Sequence, residues 1–150
     1  MKILIRLTLL SILVATCVGV ASADKPGRHP HYLHSLSDLR YARGLLDKLA
    51  MNEHRDELES QAIGKIDAAI KTIKAASIDD GKNLNDHPPI DAKLTRSDRY
   101  QKALELLDAA HHDVTLEEDT PKSQGLQGRV IADVDEAHRI VEKLQKRYNK

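Results

Sequence analysis

The sequence of 150 residues contains no Phe, no Trp and a single cysteine. Without Phe or Trp, the chain has few aromatic side chains on which nucleic-acid bases could stack. Basic and acidic residues number 23 each, so there is no positive excess to hold a phosphate backbone. The sequence also lacks a Cys-x-x-Cys-His motif and a glycine-rich phosphate loop. These absences argue against nucleic acid and covalently bound haem as partners.

The first 23 residues have the organisation of a cleavable signal peptide. Lys2 and Arg6 precede an uncharged, mostly apolar run at residues 7–20, and Ala21-Ser22-Ala23 offers the small residues that a signal peptidase requires. The alternative is a retained membrane anchor, but a membrane-spanning helix needs roughly 20 apolar residues. We therefore expect cleavage before Asp24 and export to the periplasm or the medium of a bacterium, with no stable membrane span in the mature chain.

Cys17 leaves a further alternative open. Residues 14–17 resemble the acceptor motif for a lipid-modified cysteine, although Thr16 stands where Gly, Ala or Ser is usual. Cleavage after Ala23 would instead leave 127 of the 150 residues, with no cysteine, 21 basic and 23 acidic residues, and a net charge of −2. Such a chain forms one domain and needs no disulfide in an oxidising compartment.

Apolar residues recur at helical spacing in four segments, and no segment alternates as a strand would. The first segment begins at Pro30, whose missing N–H would be unpaired in a first turn in any case. The second is predicted from about Glu53 to Ile78, the third begins at Ser97 as N-cap, and the fourth follows Pro121. The sequence therefore predicts an all-α four-helix bundle.

An offset of 68 residues aligns the two halves of the predicted bundle without a gap. It places Tyr32 on Tyr100 and Asp67 on Asp135, which apolar periodicity alone would not produce. We interpret this as two copies of one αα-hairpin within a single domain. The signal peptide covers residues 1–23, the domain 24–150, the two copies about 30–78 and 97–148, and the linking loop 79–96.

Histidines and carboxylates suggest a first candidate site at one end of the bundle. Imidazole and carboxylate are ordinary ligands of divalent transition metals. In an up-down-up-down bundle, the start of the first helix, the end of the second and the start of the third lie at one end. The loop at 79–96 is also long enough to cross the whole bundle, which would separate these groups. The candidate ligands for zinc, copper or nickel are His29, His31, His34, His87, Asp79 and Asp80.

A second candidate site comes from a repeated Asp-x-x-His pattern. Asp108 and His111 lie on the predicted third helix, and Asp135 and His138 on the fourth. Di-iron bundles use Glu-x-x-His pairs in this way. Here, however, Asp replaces the longer Glu, and the predicted first helix has two arginines where the third helix has Asp108 and His111. His138 could instead be a buried, hydrogen-bonded histidine, and all eight histidines could be surface residues of a polar protein.

Several segments resemble those of a set of small exported bacterial helical-bundle proteins. They are HPHYLH at 29–34, LSDLRYAR at 36–43, SIDDGK at 77–82 and HPPID at 87–91. This resemblance implies export and a helical bundle, and it brings no activity with it. The duplicated layout is more distantly similar to the small periplasmic metal-binding protein class, whose chains carry more histidine along their helices.

No set of nucleophile, acid and base stands out in the sequence, so we expect a protein without enzymatic activity. The leading hypothesis is an exported bundle that binds a ligand at one end, with a divalent transition metal as the candidate. The alternative is a periplasmic interaction or structural module that binds no metal and contacts a protein partner through the loop at 79–96.

Overall fold

The computed structural model describes residues 29–49, 55–75, 78, 80–117 and 125–149. Within these ranges the chain forms four α-helices and no strand, so the predicted all-α four-helix bundle is confirmed. The predicted signal peptide, Cys17 and the candidate ligand Asp79 lie outside the described residues. None of the described helices is long and apolar enough to cross a membrane. The helices are α1 (Pro30–Leu49), α2 (Glu57–Ala75), α3 (Arg96–Leu116) and α4 (Leu126–Tyr148).

The helices run up-down-down-up. α1 packs most extensively on α3 and α2 on α4, and the hairpin partners complete the ring. His29, before α1, contacts Glu117, just after α3, at 3.2 Å, so α1 and α3 are antiparallel. Glu59, near the start of α2, binds Arg96, at the start of α3, at 2.8 Å, so α2 and α3 begin at the same end. The connection from α2 to α3 therefore crosses the full length of the bundle, which is the second of the two arrangements that the length of the loop at 79–96 allows.

Equivalent positions of the two halves fill the core. The contact of Lys65 with Asp133 at 3.2 Å joins two residues that the 68-residue offset makes equivalent. Helices related by a two-fold axis would show such a contact. Other equivalent pairs are almost fully buried in both halves. They are Tyr32 with Tyr100, Leu39 with Leu107, Ala42 with Ala110, Ile66 with Val134, Ala69 with Ala137 and Ile73 with Val141.

Two helices begin at residues other than the predicted ones, because local hydrogen bonds cap them there. Thr95, rather than Ser97, is the N-cap of α3, because the Thr95 hydroxyl accepts the Asp98 N–H and the Asp98 carboxylate accepts the Thr95 N–H. This reciprocal pair is a capping box. Asp56 acts similarly before α2, since its carboxylate accepts the Leu58 N–H at 2.9 Å. α2 therefore begins at Glu57, later than the predicted Glu53.

The crossing connection is held against α1 at two points. Arg40, fully buried, donates two hydrogen bonds to the Asp80 carboxylate at 2.7 and 2.6 Å. Further along, the His87 ring stacks on Tyr41, with ring centroids 6.3 Å apart. A Cβ atom on Gly44 would lie 2.5 Å from His87 Nε2, so the absence of a side chain at this position lets the connection approach α1 closely.

Candidate functional site

The first predicted site does not form as predicted, because the crossing connection carries two of its members away. Asp80 is bound to Arg40. His87 lies against Gly44, and its Nδ1 donates to the Pro88 carbonyl at 2.8 Å while Nε2 faces the glycine. In this position the Pro88 carbonyl already occupies Nδ1 of His87. The up-down-up-down assumption had placed both residues beside the start of α1.

The histidines at the start of α1 meet carboxylates of α3 instead. Glu117 Oε1 accepts the backbone N–H groups of His31 at 2.9 Å and Tyr32 at 3.2 Å, and Glu117 Oε2 lies 3.2 Å from His29 Nδ1. A carboxylate at a helix N-terminus satisfies unpaired N–H groups and complements the helix dipole. Glu117 is buried and serves to cap α1. Its role was missed in the sequence because only the crossed topology brings it to α1.

A row of imidazoles and carboxylates continues along the edge between α1 and α3. His31 Nδ1 lies 3.6 Å from Asp113 Oδ1, and the His31 and His34 rings meet edge to face at 6.5 Å. Partial burial raises the pKa of Asp38, the negative charge of Asp113 adds to this rise, and His34 and Lys102 oppose it. His31 and His34 thus lie on this edge, whereas Asp80 and His87 contact α1 further along, at Arg40 and at Tyr41.

All four residues of the second predicted site come together on the flank of the bundle. His138 Nε2 lies 3.2 Å from Asp108 Oδ1, and His111 Nε2 lies 4.0 Å from Asp135 Oδ1. Each Asp thus meets the histidine of the other helix, because α3 and α4 are antiparallel neighbours. We call these four residues the flank quartet.

The flank quartet surrounds an open depression of about 210 Å³ with Leu107 and Val134 beneath it. The Asp108 side chain is 72% exposed and that of His138 29% exposed, so His138 is not a buried histidine. Carboxylates this exposed can reorient without disturbing the core. A water occupies about 30 Å³, so the depression has room for a hydrated ion.

Donor distances in the flank quartet suit shared metal ligation. Ligands at about 2.0–2.1 Å from a tetrahedral zinc stand about 3.3 Å from one another. The 3.2 Å separation in the pair of His138 and Asp108 matches this value, and the 4.0 Å separation in the pair of His111 and Asp135 exceeds it slightly. Across the described ranges, no group of three or more His, Cys, Asp or Glu side chains is arranged so that it could hold a metal ion. A metal would therefore have to draw the two pairs together.

No protein-family model, no curated protein and no solved structure matches the chain. The function must therefore be inferred from the side chains between α3 and α4.

Proposed function

We propose that this protein is an exported, non-enzymatic four-helix bundle that binds a divalent transition metal through the flank quartet. The observation that carries the proposal is the crossed pairing of two histidines with two aspartates, at 3.2 and 4.0 Å, beside an open depression at the surface. The expected ligand class is thus retained, but its place is the flank of the bundle rather than one end.

The ligand types favour zinc, copper or nickel. Imidazole suits these metals, whereas calcium takes six to eight oxygen ligands and magnesium retains water in an octahedral shell. Two imidazoles and two carboxylates from the protein would complete a tetrahedral shell. A catalytic zinc usually keeps one position open for water or substrate. A completed shell supports binding rather than catalysis.

The signal peptide supports export. The signal peptide contains the only cysteine of the chain. After its removal, a metal ion in an oxidising compartment would reach the flank quartet without competition from a thiol of the same chain. N-terminal sequencing of the secreted protein is expected to begin at Asp24. A start at Cys17 would show lipidation, and an intact Met1 would contradict cleavage.

Isothermal titration of the secreted chain, purified without a histidine tag, tests metal binding. We expect uptake of zinc, copper or nickel with a dissociation constant below about 1 mM, and loss of this uptake in His111→Ala/His138→Ala. The matched control is His31→Ala/His34→Ala, which removes as many histidines from the other edge. No uptake by the unaltered chain would sink the proposal, as would uptake that only the control variant abolishes.

A second candidate is the interaction module suggested by the long connection. Most of residues 80–95 are exposed, and Leu84 presents an apolar side chain there at 37% exposure. A protein partner that contacts this connection would be weakened by Leu84→Asp. Absence of metal uptake together with such a partner would favour this second function over the first.

A further inference from the structure

We infer that a single bound ion acts as a clamp between α3 and α4, in place of the ion pair that joins α1 to α2. This inference rests on the proposed function. It adds that both helices must supply ligands, that one ion suffices, and that binding tightens the second hairpin.

The first hairpin shows what the clamp would replace. The 68-residue offset makes Arg43 equivalent to His111 and Asp67 equivalent to Asp135. Arg43 Nε donates to Asp67 Oδ1 at 2.8 Å, which joins α1 to α2. The corresponding atoms of His111 and Asp135 lie 4.0 Å apart, beyond hydrogen-bond distance. The same place in the fold therefore holds a closed contact in one hairpin and an open one in the other.

The other two positions of the flank quartet also differ from their equivalents in the first hairpin, which are more deeply buried. Arg40 and Ile70 are equivalent to Asp108 and His138, and both are buried in the first hairpin. Arg40 turns to Asp80 of the crossing connection, and Ile70 packs in the core. In the second hairpin, these positions instead carry the exposed carboxylate of Asp108 and the half-buried imidazole of His138. Of these four positions, the first hairpin has a ligand-type side chain only at Asp67, whereas the second hairpin has one at all four.

Charge explains why an ion would fill the gap. An arginine is always charged and holds a carboxylate with a rigid set of donors. A histidine carries no permanent charge, so the two exposed aspartates of the flank quartet lack the fixed cation that Asp67 has in Arg43. A divalent ion would supply positive charge and bonds to α3 and α4 together.

The equivalent positions also argue for one ion rather than two. Dinuclear carboxylate bundles take ligands from all four helices, with a Glu from each of two and a Glu-x-x-His pair from the others. Here α1 and α2 have Arg40, Arg43, Asp67 and Ile70 at the matching positions, and the Asp67 carboxylate already accepts a hydrogen bond from Arg43. The first hairpin therefore offers no ligands for a second ion at these positions.

Removing ligands one helix at a time tests the clamp. The variants are Asp108→Asn/His111→Ala on α3 and Asp135→Asn/His138→Ala on α4. The substituted residues lie largely at the surface, and circular dichroism of each variant verifies that it folds. A clamp predicts one zinc per unaltered chain and a loss of affinity of at least about 100-fold in each variant, since even outer-shell partners of a metal are worth 10–100-fold. Zinc should also slow amide exchange in α3 and α4 of the unaltered chain.

The outcomes separate the clamp from the proposed function. If zinc binds the unaltered chain and one of the two variants equally well, a single helix supplies the site and the clamp is wrong, while metal binding stands. Two zinc ions per chain, both lost in the His111→Ala/His138→Ala variant, would also overturn the clamp. If the unaltered chain takes up no zinc, copper or nickel, both proposals fall.

Discussion

The two hairpins have equivalent cores but different contacts on the outer seam between their helices. Their core positions agree, since equivalent residues such as Leu39 and Leu107 are buried alike. On the outer seam between the helices, the first hairpin has the closed contact of Arg43 with Asp67, and the second has the open contact of His111 with Asp135. The comparison shows that equivalent core residues are buried alike in both hairpins, and it places the proposed ligand site where the outer seams differ.

The crossing connection adds a second difference between the hairpins. It lies on α1, where it supplies Asp80 to Arg40 and places His87 over Gly44. The depression between α3 and α4 stays open to solvent. Changes at equivalent positions should therefore affect stability in the first hairpin and metal binding in the second.

The largest effect on stability is expected from Asp80→Ala. It would leave the guanidinium of Arg40 buried without its carboxylate, and breaking a buried ion pair in this way costs about 3–5 kcal/mol of unfolding free energy. Asp108→Ala, at the position equivalent to Arg40, should change stability by less than about 0.5 kcal/mol because the side chain is exposed. Urea denaturation measures both, and equal losses would contradict the comparison.

The contact between Asp80 and Arg40 should also depend on pH. Burial alone would raise the pKa of Asp80, but hydrogen bonds from Arg40 and from the Lys82 N–H, with the charge of Arg40, hold it below its ordinary value. A lowered pKa means that the native state favours the carboxylate, so this stabilisation is present above the ordinary pKa of 3.8 and is lost as the pH falls through the lower native value.

Urea denaturation between pH 7 and pH 2 is the corresponding measurement. The stability gap between the unaltered chain and Asp80→Asn should be constant near neutrality and narrow below about pH 4. A gap that widens toward acid would mean that the carboxylate is not the stabilising form.

A smaller effect is expected at Gly44. In Gly44→Ala the added methyl group would meet the ring of His87. Overpacking of this kind lowers the free energy of unfolding by about 1–3 kcal/mol. Gly64 is the matched control, since nothing lies within 4 Å of a Cβ added to it. Gly64→Ala should therefore stabilise α2 by up to about 1 kcal/mol. If both substitutions raise the thermal midpoint, the connection does not press on α1 as described.

The smallest effect on stability, and a large one on metal binding, is expected from His111→Arg. This change gives the second hairpin the residue that the first has at the equivalent position, Arg43. An exposed ion pair with Asp135 would add about 0.2–1 kcal/mol to the metal-free chain. It would also remove one of the proposed metal ligands, so added zinc should no longer raise the thermal midpoint. A variant that still responds fully to zinc would show that His111 is not a ligand.

Local pattern predicted the helices, the core positions and the members of the flank quartet. Spacing alone places Leu39, Leu107 and Val134 inside, because a helix buries one face whatever its neighbours are. The start of α3 was misplaced, although Thr95 and Asp98 carry the capping-box spacing that would have located it.

Contacts distant in sequence were not predictable in the same way. A connection of the length of 79–96 can turn at one end of the bundle or cross it, and only packing decides between the two. The contacts of Arg40 with Asp80, His87 with Gly44 and Glu117 with α1 all depend on that choice. The first candidate site failed for the same reason, while the flank quartet lies on adjacent helices of one hairpin and did not depend on it.

The most direct test of metal binding by the flank quartet is a zinc titration followed by NMR of the histidine rings. We predict that the ring signals of His111 and His138 change together and saturate at one zinc per chain, while those of His31, His34 and His87 stay in place. Saturating changes at His31 and His34 with none at His111 and His138, or no change at any ring, would contradict the account.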